Sequence, residues 1–326
     1  MPQPLPPGYR SRNLDRSDAA GLANLINACT LAVGDTTQLD EGEILDDWHG
    51  ADLENEAIAI IDEADHLVGC VEIDNHLNVV VSNYGYVHPD HAGRGLGNWL
   101  VDWGETWTRD RLDDAPPDTR VVVQHYVDAE NMAAHHLLTG RGFEVARQTW
   151  IMAIDVDKPI APPDWPAGFT ARSFVPGQDE RAYHEAIEDA FRDLWGRPPG
   201  TFERFMRLIG SPAFDPTLWI LAEKDGAIAG VTSGRIVSGA GWIDVVGVGR
   251  AWRRQGFGLA LLREAFAAFQ AKGVTRVELS VDAESGTGAP RLYQRAGMTV
   301  KRRYLRYRKE IRPGKDFVEP DGGTGE

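Results

Sequence analysis

YGYVHPDHAGRGLGNWLVDWGETW (84–107) and VVGVGRAWRRQGFGLALLREAFAAF (245–269) decide the fold. Each opens on a short apolar strand, turns, passes a Gly-x-Gly and continues as an apolar stripe of helical period. The first Gly of the pair is Gly95 in one stretch and Gly256 in the other, 161 residues apart. Downstream, AENMAAHHLLTGRGFEV (129–145) echoes AESGTGAPRLYQRAGMTV (283–300), with Gly142 and Gly297 155 residues apart. Two landmarks in one order at similar offsets indicate a whole unit written twice.

The boundary between the copies is compositional. VDKPIAPPDWPAG (156–168) holds four prolines, which neither a helix interior nor a central strand accepts. This places domains at 1–156 and 168–312, a linker at 157–167, and a disordered tail over the polar, Gly-rich 313–326. In the second copy a strand at 169–174 precedes two helices, 179–194 and 201–209. A hairpin follows over 217–237 around Asp225-Gly226, then the strand into the Gly turn, a helix at 258–271, a strand at 274–282, a helix near 288–295 and a last strand near 299–310. The order β-α-α-β-β-β-α-β-α-β implies an α/β fold, with each copy a mixed, mostly antiparallel sheet carrying helices on both faces.

Composition narrows function. The 326 residues carry 34 Lys+Arg against 49 Asp+Glu, a net charge of −15, which argues against generic nucleic-acid binding. No apolar run approaches the roughly 20 residues of a membrane helix. Cys29 and Cys70 are too few for a disulfide scaffold or a Cys-rich metal site, so the reading is a cytoplasmic protein without a metal. Both cysteines read as small buried apolar residues.

The Gly turns carry the chemical signal. A strand that turns through Gly into a helix presents unpaired N–H groups and a helix dipole, an anion site suited to phosphate. A Rossmann fingerprint requires a third Gly or Ala where Leu261 and Leu100 stand, near the start of its domain; a P-loop requires Gly-Lys-Ser/Thr. Neither requirement is met.

Arg253-Arg254-Gln255-Gly256-Phe257-Gly258 resembles the Arg/Gln-x-x-Gly-x-Gly/Ala pyrophosphate motif of the GNAT N-acetyltransferases. LYQRAG (292–297) resembles that family's Leu-Tyr-x-x-x-Gly-Phe signature, with Met298 in place of Phe. The resemblance spans nearly the whole chain as two tandem domains, an architecture similar to that of mycothiol-synthase-like acetyltransferases. It implies acetyl-CoA as co-substrate, held by N–H groups of Arg254, Gln255, Gly256, Phe257 and Gly258 beside Arg253. It also implies backbone pairing of Val246, Gly247 and Val248 with the pantetheine arm and thioester carbonyl. Tyr293 falls on the family's general acid. Asp244 falls on the strand where relatives carry a carboxylate base, Trp242 being the alternative position, and alternation would put Asp244 on one face with Val246 and Val248. Ser285 stands where relatives carry a CoA-contacting Asn.

In the first copy Ala92 replaces the leading Arg/Gln and Leu138 replaces the Tyr, while Arg94, Gly95, Gly97 and Asn131 persist. With Tyr86 and Val87 on the preceding strand, this copy is expected to be a degenerate domain that retains acetyl-CoA contacts without chemistry. The acceptor is read as a small-molecule amine, with Asp193, Trp195 and Arg235 as candidate lining. A thiol-sugar precursor and a non-catalytic acyl-CoA sensor are the alternatives; acyl length and oligomeric state are unspecified. Trp99, Trp103 and Trp107 recur every four residues and read as one core-facing helix stripe. Adjacent His135 and His136 point apart on a helix and suit no shared metal.

Overall fold

A computed structural model describes residues 4–192, 194, 197 and 199–316. The first repeat runs β1 (Tyr9–Asn13), α1 (Ala19–Ala32), α2 (Glu41–Asp47), α3 (Leu53–Glu56), β2 (Ala57–Asp62), β3 (Leu67–His76), β4 (Val80–Val87), α4 (Leu96–Arg109), β5 (Val121–Asp128), α5 (Met132–Gly140) and β6 (Glu144–Asp155). The second runs β7 (Thr170–Ser173), α6 (Glu180–Phe191), α7 (Phe202–Ile209), β8 (Ile220–Lys224), β9 (Ala227–Val237), β10 (Ala240–Val248), α8 (Phe257–Ala271), β11 (Arg276–Asp282), α9 (Ala289–Arg295) and β12 (Thr299–Arg312). The second repeat follows the order read from sequence; the first adds the single turn α3. The β8–β9 hairpin closes on Asp225 (φ 51°) and Gly226 (φ 79°), both left-handed, as a type I′ turn demands.

Contacts divide the chain into two compact units: Met1–Gln148 with Tyr304–Glu326, and Thr149–Arg303. This differs from the sequence-based division at 157–167, because the last strand of each repeat is divided between the units. Residues 149–155 of β6 pair antiparallel with β11 in unit 2, from Thr149↔Asp282 to Asp155↔Arg276. In unit 1, β12 pairs antiparallel with β5 from Tyr304↔Asp128 onward. Prolines mark where a repeat ends in sequence; hydrophobic alternation does not say which neighbour a strand joins. The Pro-rich segment itself lies on α8 of unit 2. Gln270 Nε2 donates to Val156 O (2.8 Å), Arg263 Nη1 to Pro162 O (3.2 Å), and the Trp165 ring sits 6.5 Å from that of Phe257. The expected tail is anchored where it begins: Arg120 N donates to Lys315 O (2.7 Å), and Asp316 pairs with Arg120 at 2.5 Å. Residues 317–326 lie outside the described residues.

In unit 1 the sheet order is β1-β2-β3-β4-β5 followed by the β12 segment. In unit 2 the β6 segment leads β11-β10-β9-β8-β7. All named pairings are antiparallel except β4–β5 and β10–β11. Those two parallel contacts are short. β10 meets β11 only from Gly241↔Val277 to Ile243↔Leu279, and β4 meets β5 only from Val80↔Val122 to Ser82↔Gln124. Beyond them the strands part, so each sheet opens midway.

The cores differ in kind. Unit 2 packs Phe266, Phe269, Tyr183, Phe205 and Trp219 into one apolar cluster. In unit 1, Glu105 stands at the repeat position of Phe266 and is 3% exposed, held by Lys309 Nζ (2.9 and 3.0 Å) and Arg109 Nη2 (2.7 Å). Those hydrogen bonds pull the Glu105 carboxyl below its usual range against the opposing effect of burial. Trp99 and Trp107 are buried and Trp103 packs beside both, as the helical stripe predicts.

Candidate active site

β10 is built to leave its backbone available. Its ladder with β9 slips between Ile243 and Val245, so Asp244 is the extra residue of a β-bulge. The bulge reverses side-chain alternation. A Cβ on Gly241 would meet Phe269 of α8 (2.6 Å), whereas a Cβ on Gly247 would meet Ala190 and Phe191 of α6 (3.0 and 3.3 Å). Two odd-numbered residues therefore face opposite sides. Val246 and Val248 pack beside Phe257 and Leu261 on the α8 side. Asp244 pairs with Arg235 Nε at 3.5 Å, and Arg235 sits across from Trp242, on the α6 side. The expectation that Asp244 shares a face with Val246 and Val248 is thus corrected: strict alternation fails at the bulge.

Beyond the bulge, Gly249 N donates to Ala229 O at 2.9 Å. In an antiparallel ladder the hydrogen-bonding residues alternate, so Gly249, Gly247 and Val245 face β9. The N–H groups of Val246 and Val248 then point the other way, where β11 has already left.

The turn that follows is cationic and open. Arg250, Arg253 and Arg254 lie between β10 and α8, and no side chain caps α8, so its first N–H groups remain available for an anion. Gly256 adopts φ +97°, with nothing within 4 Å of where a Cβ would stand. Gly258 has another role: a Cβ there would strike Leu292 Cδ2 at 2.7 Å, so this glycine docks α9 against the first turn of α8. Arg254 holds φ +62°, a conformation that non-glycine residues adopt at a cost. Arg253 reaches back rather than outward: Nη2 donates to Ala190 O (2.9 Å) at the end of α6 and Nε to Val248 O (3.4 Å).

The residue after Leu292 is Tyr293, 8% exposed on α9, and burial pushes its phenol up to about 12. It therefore holds its proton throughout the physiological range. Ser285 lies in the turn after β11, its hydroxyl 2.8 Å from that of Thr287. Among the other candidates, Arg235 is engaged with Asp244, and Asp193 and Trp195 lie outside the described residues.

Unit 1 keeps the Gly turn but has neither a bulge in β4 nor a tyrosine at the position of Tyr293. Gly95 (φ +86°) and Gly97 repeat the turn, and a Cβ on Gly97 would meet Leu137 at 3.0 Å as its counterpart meets Leu292. β4 shows no register shift against β3, so it has no bulge. Asn131 Oδ1 accepts from Ala134 N (3.1 Å) and so caps α5. Arg94 donates to Tyr9 Oη (3.1 Å) and Asp90 O (3.2 Å). Tyr86 packs on the α1 cluster, and burial raises its phenol far above the ordinary range. Val87 O accepts the Cys29 thiol at 3.2 Å. Leu138 is 2% exposed and apolar. His135 is satisfied by Ala129 O and Tyr307 Oη, both at 3.1 Å. Among the described residues no His/Cys/Asp/Glu cluster could hold a metal, and no helix is long and apolar enough to cross a membrane.

Sequence reading missed Thr232, Ser233 and Tyr183, which line the bulge from β9 and α6. Thr232 Oγ1 donates to Val245 O (2.8 Å). Tyr183 is fully buried beside Ser233 and near Asp244, and its hydroxyl makes no well-formed hydrogen bond. No motif marks these residues; a repeat alignment through β3 and β9, setting Thr232 against Val71, would have found the first.

The comparisons fit this geometry. The model of the Acetyltransferase (GNAT) family matches twice, over residues 20–143 and 181–298. A mycothiol acetyltransferase of Thermobispora bispora is 33% identical over 220 residues, 65% of this chain and 70% of that protein. One of Streptomyces avermitilis is 27% identical over 301 residues, 91% of this chain and 93% of its own length. A crystallised GCN5-related N-acetyltransferase from Sphaerobacter thermophilus superposes with TM-score 0.85 at 48% identity, covering 97% of this chain and 99% of that one. A tandem GNAT protein from the clavulanic acid pathway shares the fold alone, with TM-score 0.68 at 14% identity. The chain is an acyltransferase belonging to the GNAT acetyltransferase family, with two GNAT domains in tandem.

Proposed function

We propose that the chain transfers the acetyl group of acetyl-CoA to the amine of a small molecule, with the chemistry in unit 2. The observation that carries this reading is that unit 2 alone combines an uncapped, arginine-rich turn, a bulged strand and a buried tyrosine on α9. Uncapped N–H groups, the exposed Arg254 and the open space beside Gly256 fit a pyrophosphate. The β10 segment 246–248 fits an amide-bearing arm laid along it as an added strand. Acetyl-CoA supplies the activated thioester. The chain's part is to align that thioester with the amine, which accounts for much of the acceleration. Tyr293 holds a proton for the departing thiolate, and Asp244 takes one from the attacking ammonium. The N–H groups of Val246 and Val248 are placed to polarise the carbonyl. The relatives named mycothiol acetyltransferase favour, as a second reading, an acceptor amine that also bears a thiol.

The test is Tyr293→Phe, assayed by CoA release against a panel of amines. The ring is kept and the proton lost, so affinity for acetyl-CoA should hold while kcat falls by about 10²–10⁴. A kcat within about threefold of the parent, roughly 0.65 kcal/mol, would remove Tyr293 from the reaction.

A further inference from the structure

We propose that the Thr232 hydroxyl is a positioning group for the thioester carbonyl, acting through the β10 bulge; this rests on the acetyl-transfer reading above. Thr232 lies on β9 opposite Val246 and is fully buried. Its Oγ1 donates to the carbonyl oxygen of Val245 at 2.8 Å, immediately after the register slip. That oxygen and the N–H of Val246 belong to one planar, trans peptide unit and point in opposite directions. Holding the oxygen toward β9 therefore holds the N–H toward the gap left by β11, where the thioester arm would lie. The ladder resumes at Val245, which faces β9, directly after the bulge has disrupted it, and the hydroxyl adds its own hydrogen bond to the oxygen of that first re-paired residue. Because Thr232 is buried, no water competes for this bond.

The other repeat provides an independent comparison. At the offset that relates the two Gly turns, Thr232 corresponds to Val71 and Val246 to Gly85, and Val71 and Gly85 are themselves paired across β3 and β4. Unit 1 thus has a valine instead of the hydroxyl, an unbroken register instead of the bulge, and Leu138 instead of Tyr293. The clamp and the proton donor occur together in one unit and are both missing from the other.

The experiment compares the full-length chain with Thr232→Val, which keeps the shape, and Thr232→Ser, which keeps the hydroxyl. The probe is acetyl-CoA carrying ¹³C at the thioester carbonyl, read by isotope-edited infrared spectroscopy, with CoA affinity by calorimetry and turnover alongside. The parent should lower the carbonyl stretch on binding. Thr232→Val should return it toward its value in water and cut kcat by about 10–100-fold, less than the loss of a whole oxyanion donor, with CoA affinity within about threefold. Thr232→Ser should restore frequency and turnover. Parent-like frequency and turnover in Thr232→Val would overturn the proposal. So would matched losses of kcat and CoA affinity that serine does not rescue, because then the residue only packs. A parent chain that binds no acetyl-CoA would overturn the functional reading and this proposal with it.

Discussion

Replacing Arg254 by glycine should make the fold more stable and acetyl-CoA bind less well. Arg254 holds φ +62°, and the equivalent residue of the other repeat is Gly93 at φ +75°. A side chain in that region costs about 1–2 kcal/mol. Glycine removes the cost but gives back about 0.4–1 kcal/mol through the greater freedom of the unfolded chain. Alanine keeps the strain and loses only the guanidinium, so it separates the two effects. Arg254→Gly should therefore melt about 1–3 °C above Arg254→Ala. The guanidinium is exposed and makes no hydrogen bond or ion pair among the described residues. It is placed beside the open N–H groups of α8, and one charge-assisted contact to a phosphate at an exposed site contributes about 1.5 kcal/mol. Both variants should then lose about tenfold in CoA affinity by calorimetry, and the loss should shrink at high salt. If both variants bind CoA as the parent does, the arginine does not touch phosphate. If glycine is no more stable than alanine, the backbone there is not strained.

Asp244→Asn should lower kcat and remove the acidic limb of the pH–rate profile, since a base acts only when deprotonated; parent-like rates across about pH 6–9 would place the base elsewhere. Leu138→Tyr should add no second active site, because unit 1 also lacks the bulge and the Thr232 equivalent; a doubled turnover would show that one residue was missing. His125 is buried in unit 1 with Nε2 unpaired, and burial lowers its pKa to about 4 from 6.5. The unfolded chain then binds the proton more readily, so stability is full above about pH 6.5 and falls by about 3 kcal/mol as pH drops toward 4. His125→Leu should flatten that part of the stability–pH curve; equal acid sensitivity in the variant would assign the effect to other groups.

Local elements were legible because their signals are local. Gly256, the Asp225-Gly226 turn and the helical stripes each act within a few residues, and the second repeat follows the order they imply. Pairings between distant segments were not legible. Nothing in TWIMAID (149–155) says that it completes the sheet beside β11, because any amphipathic strand can fill an edge. The bulge was hidden for a related reason. Asp244 interrupts an otherwise regular pattern, and its effect on alternation depends on the register of β9. A further repeat signal was present but unread. Arg12 grips Asp18 through both guanidinium nitrogens at 2.6 Å, and Arg172 grips Asp179 at 2.5 and 2.9 Å, each pair joining the first strand of its repeat to the start of the first helix. Read in sequence, these are four ordinary charges; only their near-equal repeat offsets, 160 and 161 residues, identify them as one device used twice.

The two repeats also show that part of the Arg-x-x-Gly-x-Gly turn serves the fold. The leading Arg253 ties the carbonyl of Val248 to the C-terminal end of α6, a favourable place for a cation. In unit 1 Ala92 cannot make that tie, yet the equivalent carbonyl, Val87 O, is still bound, now by the Cys29 thiol from α1. Burial raises that thiol to about 11, so it remains protonated and able to donate. The loss of the arginine is thus compensated where it matters for strand geometry, and the glycine turn survives with it. The bulge, the threonine clamp and the tyrosine have no substitutes in unit 1. The bond that holds the strand carbonyl was replaced when the arginine was lost, whereas the features proposed to act on a thioester were not. This contrast supports the proposal that the reaction belongs to unit 2.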